Sequence, residues 1–262
     1  MKELGIIGAI AGDIIGSVYE FRNVKSIDFP MFTDKSIFTD DTVLTIAIAD
    51  SIINNNEYGK TLHTYGRNHI RRGYGPLFYQ WLLNDNLQPY GSYGNGSGMR
   101  VSPVGIAYSS LEKVLKEAKK SAEVTHNHPE GIKGAQAIAA AVFMARNRAS
   151  KNEIKNYISN TFEYDLSFTL DEIRPTYEFS ASCQDSVPQS IVAFLESSDY
   201  ENAIRLAISI GGDSDTIACM TGGIAAVFYN SISDEIIKQT LRRLPPSFIE
   251  IIYQFSKLND IE

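Results

Sequence analysis

Residues 208–229 read ISIGGDSDTIACMTGGIAAVFY, and that stretch sets both the architecture and the chemistry. Its apolar run, 215–229, has the composition of a helix buried in a core. Directly ahead of that run, Gly211-Gly212 lead into the polar cluster Asp213-Ser214-Asp215-Thr216. The same arrangement occurs earlier in the chain. Thr39-Asp40-Asp41-Thr42 stands at the start of 41–54 (DTVLTIAIADSIIN), which is apolar on nearly every face.

Helical spacing continues outward from these two segments. Residues 5–18 form a small-residue, largely buried helix rich in Gly, Ala and Ile. In 109–122, Leu111, Val114, Leu115 and Ala118 make an apolar stripe with Lys and Glu opposite. The Ala-rich segment 131–148 contains no proline. Further helices are expected at 152–161, 187–196, 200–210, 233–243 and 246–257, with Pro188 and Pro246 in first-turn positions. Strand signals are weak. Only VKSIDFPMF, residues 24–32, qualifies, and Pro30 confines it to an edge or a loop. The segments 22–38, 84–106 and 162–186 are long for plain connections, and long loops in compact domains are often functional. The expected fold is therefore an all-α, compact helical bundle spanning residues 1–262 as a single domain, with no linker and no solenoid period.

Composition narrows the class of function. The 262 residues are 44% hydrophobic and 21% charged, which is ordinary globular usage. The formal charge is −7 and Lys and Arg are scattered, so no basic patch for nucleic acid is visible. An anionic ligand on such a chain would need bound cations or backbone N–H groups. Cys183 and Cys219 are read as reduced thiols, since there is no CxxC pair. The N-terminal apolar run is interrupted by Gly12 and Asp13, which argues against a signal peptide, and no stretch is long enough to span a bilayer. The protein is expected in the cytoplasm, without a membrane partner.

Each acidic cluster has a plain explanation, since Asp, Ser and Thr cap helices and suit the helix dipole. Capping needs one such residue, however. Two carboxylates and two hydroxyls side by side exceed that need, and the excess occurs twice. Carboxylates crowded at buried helix ends raise one another's pKa unless a cation neutralises them. Oxygen-only ligands select hard ions over Zn²⁺, and four carboxylates suffice to bridge two ions.

The most glycine-dense segment is Gly91-Ser92-Tyr93-Gly94-Asn95-Gly96-Ser97-Gly98. It reads equally as a surface loop or as an anion nest, with Tyr93 placed to stack on a base. No Walker Lys follows it, so it is not a P-loop. Gly12 and Gly16 share a helical face, which close helix packing explains, while Asp13 in that apolar stretch needs a partner. Thr125-His126-Asn127-His128 groups two of the four histidines, read as capping or loop residues rather than metal ligands.

Taken together, these segments resemble the ADP-ribosylglycohydrolase family. The resemblance rests on GDIIGSVYEF (12–21), FTDDT (38–42), YGSYGNGSGMRVSP (90–103), THNHPEG (125–131), SVPQSIVAFLES (186–197) and ISIGGDSDTIACMTGGIAAVFY (208–229), in the family's order. It implies an all-α fold with two divalent cations, Mg²⁺ or Mn²⁺, held by Thr39, Asp40, Asp41, Asp213, Asp215 and Thr216. It implies that Gly91, Ser92, Tyr93, Gly94, Asn95 and Gly96 bind the diphosphate and adenosine side, with Tyr93 against adenine and His126 near the substrate. Glu20 would act at the scissile bond, with Asp13 as a supporting or water-holding acid. The implied reaction is hydrolysis at C1″ of the distal ribose, releasing ADP-ribose from an ADP-ribosylated protein or an ADP-ribose-containing small molecule. The chain departs from the pattern at Leu87 and Pro89, where a second adenine-stacking aromatic is expected, although Tyr90 is nearby. The competing readings are a non-catalytic ADP-ribose or metal-binding module on the same fold and a two-metal phosphoesterase acting on the pyrophosphate.

Overall fold

The computed structural model describes residues 2–262. Among them the secondary structure is helical, with no strand and only two isolated bridges, Gly94 with Ser182 and Tyr108 with Ile261. The helices are α1 (Lys2–Gly16), α2 (Asp40–Asn54), α3 (Tyr58–Asn68), α4 (Pro76–Leu83), α5 (Gly96–Met99), α6 (Ser102–Ala107), α7 (Leu111–Glu123) and α8 (Pro129–Arg146). They continue as α9 (Lys151–Phe162), α10 (Leu170–Ile173), α11 (Cys183–Glu196), α12 (Tyr200–Ser209), α13 (Ser214–Tyr229), α14 (Asp234–Leu241) and α15 (Pro246–Ser256).

The centre of the molecule is the antiparallel pair α1 and α13, both buried along most of their length. Glycines on one face of α1 set how close they come. A Cβ on Gly12 would lie 2.1 Å from the Ala218 carbonyl oxygen, and one on Gly16 would lie 2.4 Å from the Asp215 Cα. Backbone therefore meets backbone, as the shared face of Gly12 and Gly16 suggested. This approach lays Asp13 alongside the first turn of α13. We expect Gly12→Ala to lower stability by about 2–3 kcal/mol, because neither backbone can yield without moving its helix. Urea unfolding measures this, and an unchanged midpoint would mean that the pair re-spaces freely.

Several expectations are corrected. The stretch 24–32 is not a strand; side chains hold it in place of a ladder. Lys25 Nζ donates to the carbonyls of Tyr177 (2.6 Å) and Ile210 (2.5 Å), and Tyr19 Oη donates to that of Pro30 (2.6 Å). Pro188 lies inside α11 rather than in its first turn. The helix starts earlier because Ser182 accepts from the Asp185 amide as its N-cap. Pro246 does occupy the first turn of α15. The segments 84–106 and 162–186 contain the short helices α5, α6 and α10. Helices α3 and α4 lie outside the expected set, and each buries three residues.

Candidate functional site

The two acidic clusters and the end of α1 meet at one place. Ligand oxygens of Asp13, Asp41 and Asp215 lie within 4.8 Å of one another, and so do those of Glu20, Asp213 and Asp215. Asp215 belongs to both groups. Asp13 is satisfied by the protein: its Oδ2 accepts from the amides of Thr39 (3.0 Å) and Thr42 (3.1 Å) and from the Thr42 hydroxyl, and its Oδ1 accepts from Thr39 Oγ1 (2.7 Å). Asp13 thus fastens the start of α2 to α1. Thr216 Oγ1 donates to Asp41 Oδ2 (3.2 Å), tying α13 to α2. Asp40 lines the adjoining cavity but belongs to neither group of three.

Two glycines deliver Asp213. Gly211 and Gly212 both have φ near +73°, a turn that L side chains rarely adopt. Asn23 clamps that turn, accepting from the Gly212 amide (2.9 Å) and donating to the carbonyls of Gly212 (3.0 Å) and Glu20 (2.9 Å). It thereby couples Glu20 to Asp213. Asp213 itself accepts from Asn95 Nδ2 at 2.7 Å.

No Lys or Arg lies within ion-pair distance of these six carboxylates among the described residues. Burial is therefore unopposed by any neighbouring cation. It pushes Asp13 up to about 6. Burial, then the charges of Asp213 and Asp13, pushes Glu20 up to about 7. Asp40, Asp41 and Asp215 are raised well above the usual carboxylate range by burial and by the acids around them. Asp41 Oδ1 is buried without any hydrogen-bond partner, a costly arrangement for an acceptor. A hard divalent cation would answer both features, and the oxygen-only donor set suits one.

These shifts predict how stability changes with pH. A carboxyl whose pKa is raised by folding contributes stability below its unfolded value and loses it as pH rises through the folded value. For Asp13 and Glu20 that window runs from ordinary values of 3.8 and 4.5 to about 6 and about 7. In chelator, the melting temperature should therefore fall between about pH 4 and about pH 7. Cations bind the deprotonated form, so the rise in melting temperature on adding Mn²⁺ should grow over the same interval. A melting temperature that climbs with pH in chelator would contradict this account.

Beside the cluster is a cavity of about 320 Å³, lined by Glu20, Asp40, Asp41, Asp213, Asp215 and Thr216 and by Ser92, Gly94, Asn95, Gly96 and His126. Within the loop, the amides of Gly91, Ser92, Gly94 and Asn95 already donate to Asn127 Oδ1, Thr125 O, Ser92 Oγ and Ala181 O. Those of Gly96 and Ser97 have no protein acceptor among the described residues. The nest is thus narrower than the glycine count suggests. Neither Gly91 nor Tyr93 lines the cavity; Tyr93 is 54% exposed, and its ring lies edge-on to His128. Tyr90 and Phe179 line it instead. Sequence reasoning missed Asn23 and Phe179, and it placed Arg100, which also lines the cavity, in a motif without giving it a role. An Asn that reaches a distant Gly-Gly turn has no spacing signature.

Residues 5–256 match the family described as ADP-ribosylglycohydrolase. The ADP-ribosylhydrolase ARH3 of Homo sapiens is 28% identical over 86% of this chain and 84% of its own length. The ADP-ribosylarginine hydrolase Tri1 of Pseudomonas putida is 24% identical over 94% of this chain and 72% of its own. A solved structure titled ADP-ribosylglycohydrolase-related protein complex superposes with a TM-score of 0.74 at 21% identity, covering 97% of this chain and 95% of its own. That likeness fixes the all-α fold.

Proposed function

Since the chain belongs to the ADP-ribosylglycohydrolase family, we propose that it hydrolyses the glycosidic bond at C1″ of the distal ribose. The product is ADP-ribose, released from an ADP-ribosylated protein side chain or from a small molecule. The observation that carries this reading is the shared Asp215, which joins two groups of three carboxylates at the edge of a cavity. Two divalent cations, Mg²⁺ or Mn²⁺, would be held by Asp41, Asp213 and Asp215 with Thr39, Asp40 and Thr216, and would supply Lewis acidity and an acidified water.

The chain's own groups do the rest. Asp13 holds Thr39 and the start of α2 in place. The free amides of Gly96 and Ser97 suit a phosphate oxygen. Glu20, held near neutrality by its surroundings, can release or take up a proton at its carboxylate as the C1″ bond breaks. The transition state resembles an oxocarbenium ion, as in other glycoside hydrolysis.

The decisive experiment offers ADP-ribosylated arginine, ADP-ribosylated serine and O-acetyl-ADP-ribose with Mg²⁺ or Mn²⁺ and identifies the product. Free ADP-ribose supports the proposal. AMP would indicate attack on the pyrophosphate, and binding without turnover would indicate a binding module. Ligand contact by the ring of Tyr90 gives a further prediction. Tyr90→Ala should cost roughly 1–3 kcal/mol of ADP-ribose affinity, the range for stacking on a base, and Tyr93→Ala almost none. Calorimetry ranks the two, and the reverse order would return the adenine to Tyr93.

A further inference from the structure

The cavity wall behind His126 contains a chain of hydrogen-bonded side chains. Arg100 is fully buried and forms no ion pair among the described residues. Its Nη2 donates to Thr125 Oγ1 at 2.8 Å and to the Ser121 carbonyl at 3.0 Å, while its Nε and Nη1 have no partner. Thr125 Oγ1 in turn lies 2.8 Å from His126 Nδ1.

Counting donors fixes the direction of that last bond. A guanidinium only donates, so Thr125 Oγ1 is the acceptor toward Arg100. Thr125 is fully buried, and among the described residues its one hydroxyl proton has His126 Nδ1 as its sole acceptor. If Nδ1 instead donated to the second lone pair of Oγ1, that buried hydroxyl proton would be left without an acceptor, so Nδ1 accepts and carries no proton. The imidazole must then hold its proton on Nε2, since a cationic ring would turn a second proton on the Thr125 hydroxyl. Nε2 has no protein partner among the described residues and faces the glycine segment. A Cβ on Gly96 would lie 3.1 Å from it, and one on Gly94 would lie 3.6 Å away.

We propose that Arg100 and Thr125 are positioning residues that lock His126 as the neutral Nε2–H tautomer, which gives the cavity a fixed donor for an anionic phosphate oxygen of a nucleoside-diphosphate ligand. The ligand class rests on the proposed function, whereas the lock rests on donor counting alone. Burial and the nearby Arg100 charge both hold His126 well below the ordinary histidine range, which keeps the ring neutral. The donor is therefore present at any working pH without adding a proton to the site. It also stands beside the free amides of Gly96 and Ser97, so one oxygen can be met from two directions.

Long-range proton–nitrogen NMR of the full chain with Mg²⁺ tests this, with His126→Gln assigning the signals. In the parent protein Nε2 should carry the proton, and Nδ1 should show the upfield displacement of a bare nitrogen that accepts a hydrogen bond. Thr125→Ser keeps the hydroxyl and should preserve both that signature and ADP-ribose affinity. Thr125→Val removes it, so Nδ1 should move toward a free bare nitrogen and affinity should fall roughly tenfold, the scale of one lost hydrogen bond. A protonated Nδ1 in the parent overturns the lock, as does Thr125→Val with parental shifts and affinity. The expected signature in a protein that binds no ADP-ribose would leave the lock standing and overturn the ligand assignment alone.

Discussion

Asp215→Asn is expected to bind divalent cations more than about a hundredfold more weakly than the parent and to lose turnover with them. Removing a group that merely supports a metal ligand already costs 10–100-fold in affinity, and Asp215 is the one residue common to both carboxylate groups. The substitution keeps shape and removes charge. In chelator at high pH, where the parent's acids are ionised, it should therefore leave the protein at least as stable as the parent, because it removes one member of a buried, mutually repelling set. That sign separates a lost ligand from a damaged fold. Calorimetric titration with Mn²⁺ and melting in chelator read the two halves independently. Parental cation affinity in a folded Asp215→Asn protein would sink the shared-ligand reading.

Much of this site was legible because it violates ordinary helix-start chemistry. One capping residue explains a helix start, whereas Asp40 with Asp41 and Asp213 with Asp215 place repelling charges at buried ends. That contradiction is local and needs no fold to be seen. Asp13 was visible as a misplaced acid, but its four hydrogen bonds to Thr39 and Thr42 exist only once α1 and α2 are packed together. Tyr90 and Tyr93 could not be ranked from sequence. In an irregular segment, neighbouring side chains follow no period, so which ring turns inward depends on the Gly94–Ser182 bridge and the Asn95 bond to Asp213. Asn95 was read as a diphosphate contact, yet its side chain is already committed to Ser186 and Asp213.

Glu20→Gln should separate cation binding from chemistry, retaining cations and ADP-ribose while turnover falls about 10²–10⁴-fold, the range for general acid–base assistance. Glu20 lies within the group containing Asp213 and Asp215, so two outcomes must be told apart. If Glu20 only moves a proton, the amide keeps a neutral oxygen in place. Asp213 and Asp215 remain to hold the cation, and the loss is confined to kcat. If Glu20 is itself an obligatory cation ligand, calorimetry will show a parallel loss of Mn²⁺ affinity, and excess Mn²⁺ will restore part of the rate. The environment favours the first. Glu20 is half-buried rather than enclosed and borders the cavity. Its pKa of about 7 lets it exchange a proton where a fully ionised acid would not. Asn23 binds the Glu20 carbonyl and not its carboxylate, which leaves the side chain free to face the ligand. Parental turnover in Glu20→Gln would remove Glu20 from the chemistry and leave the proton transfer to another group on the cavity wall.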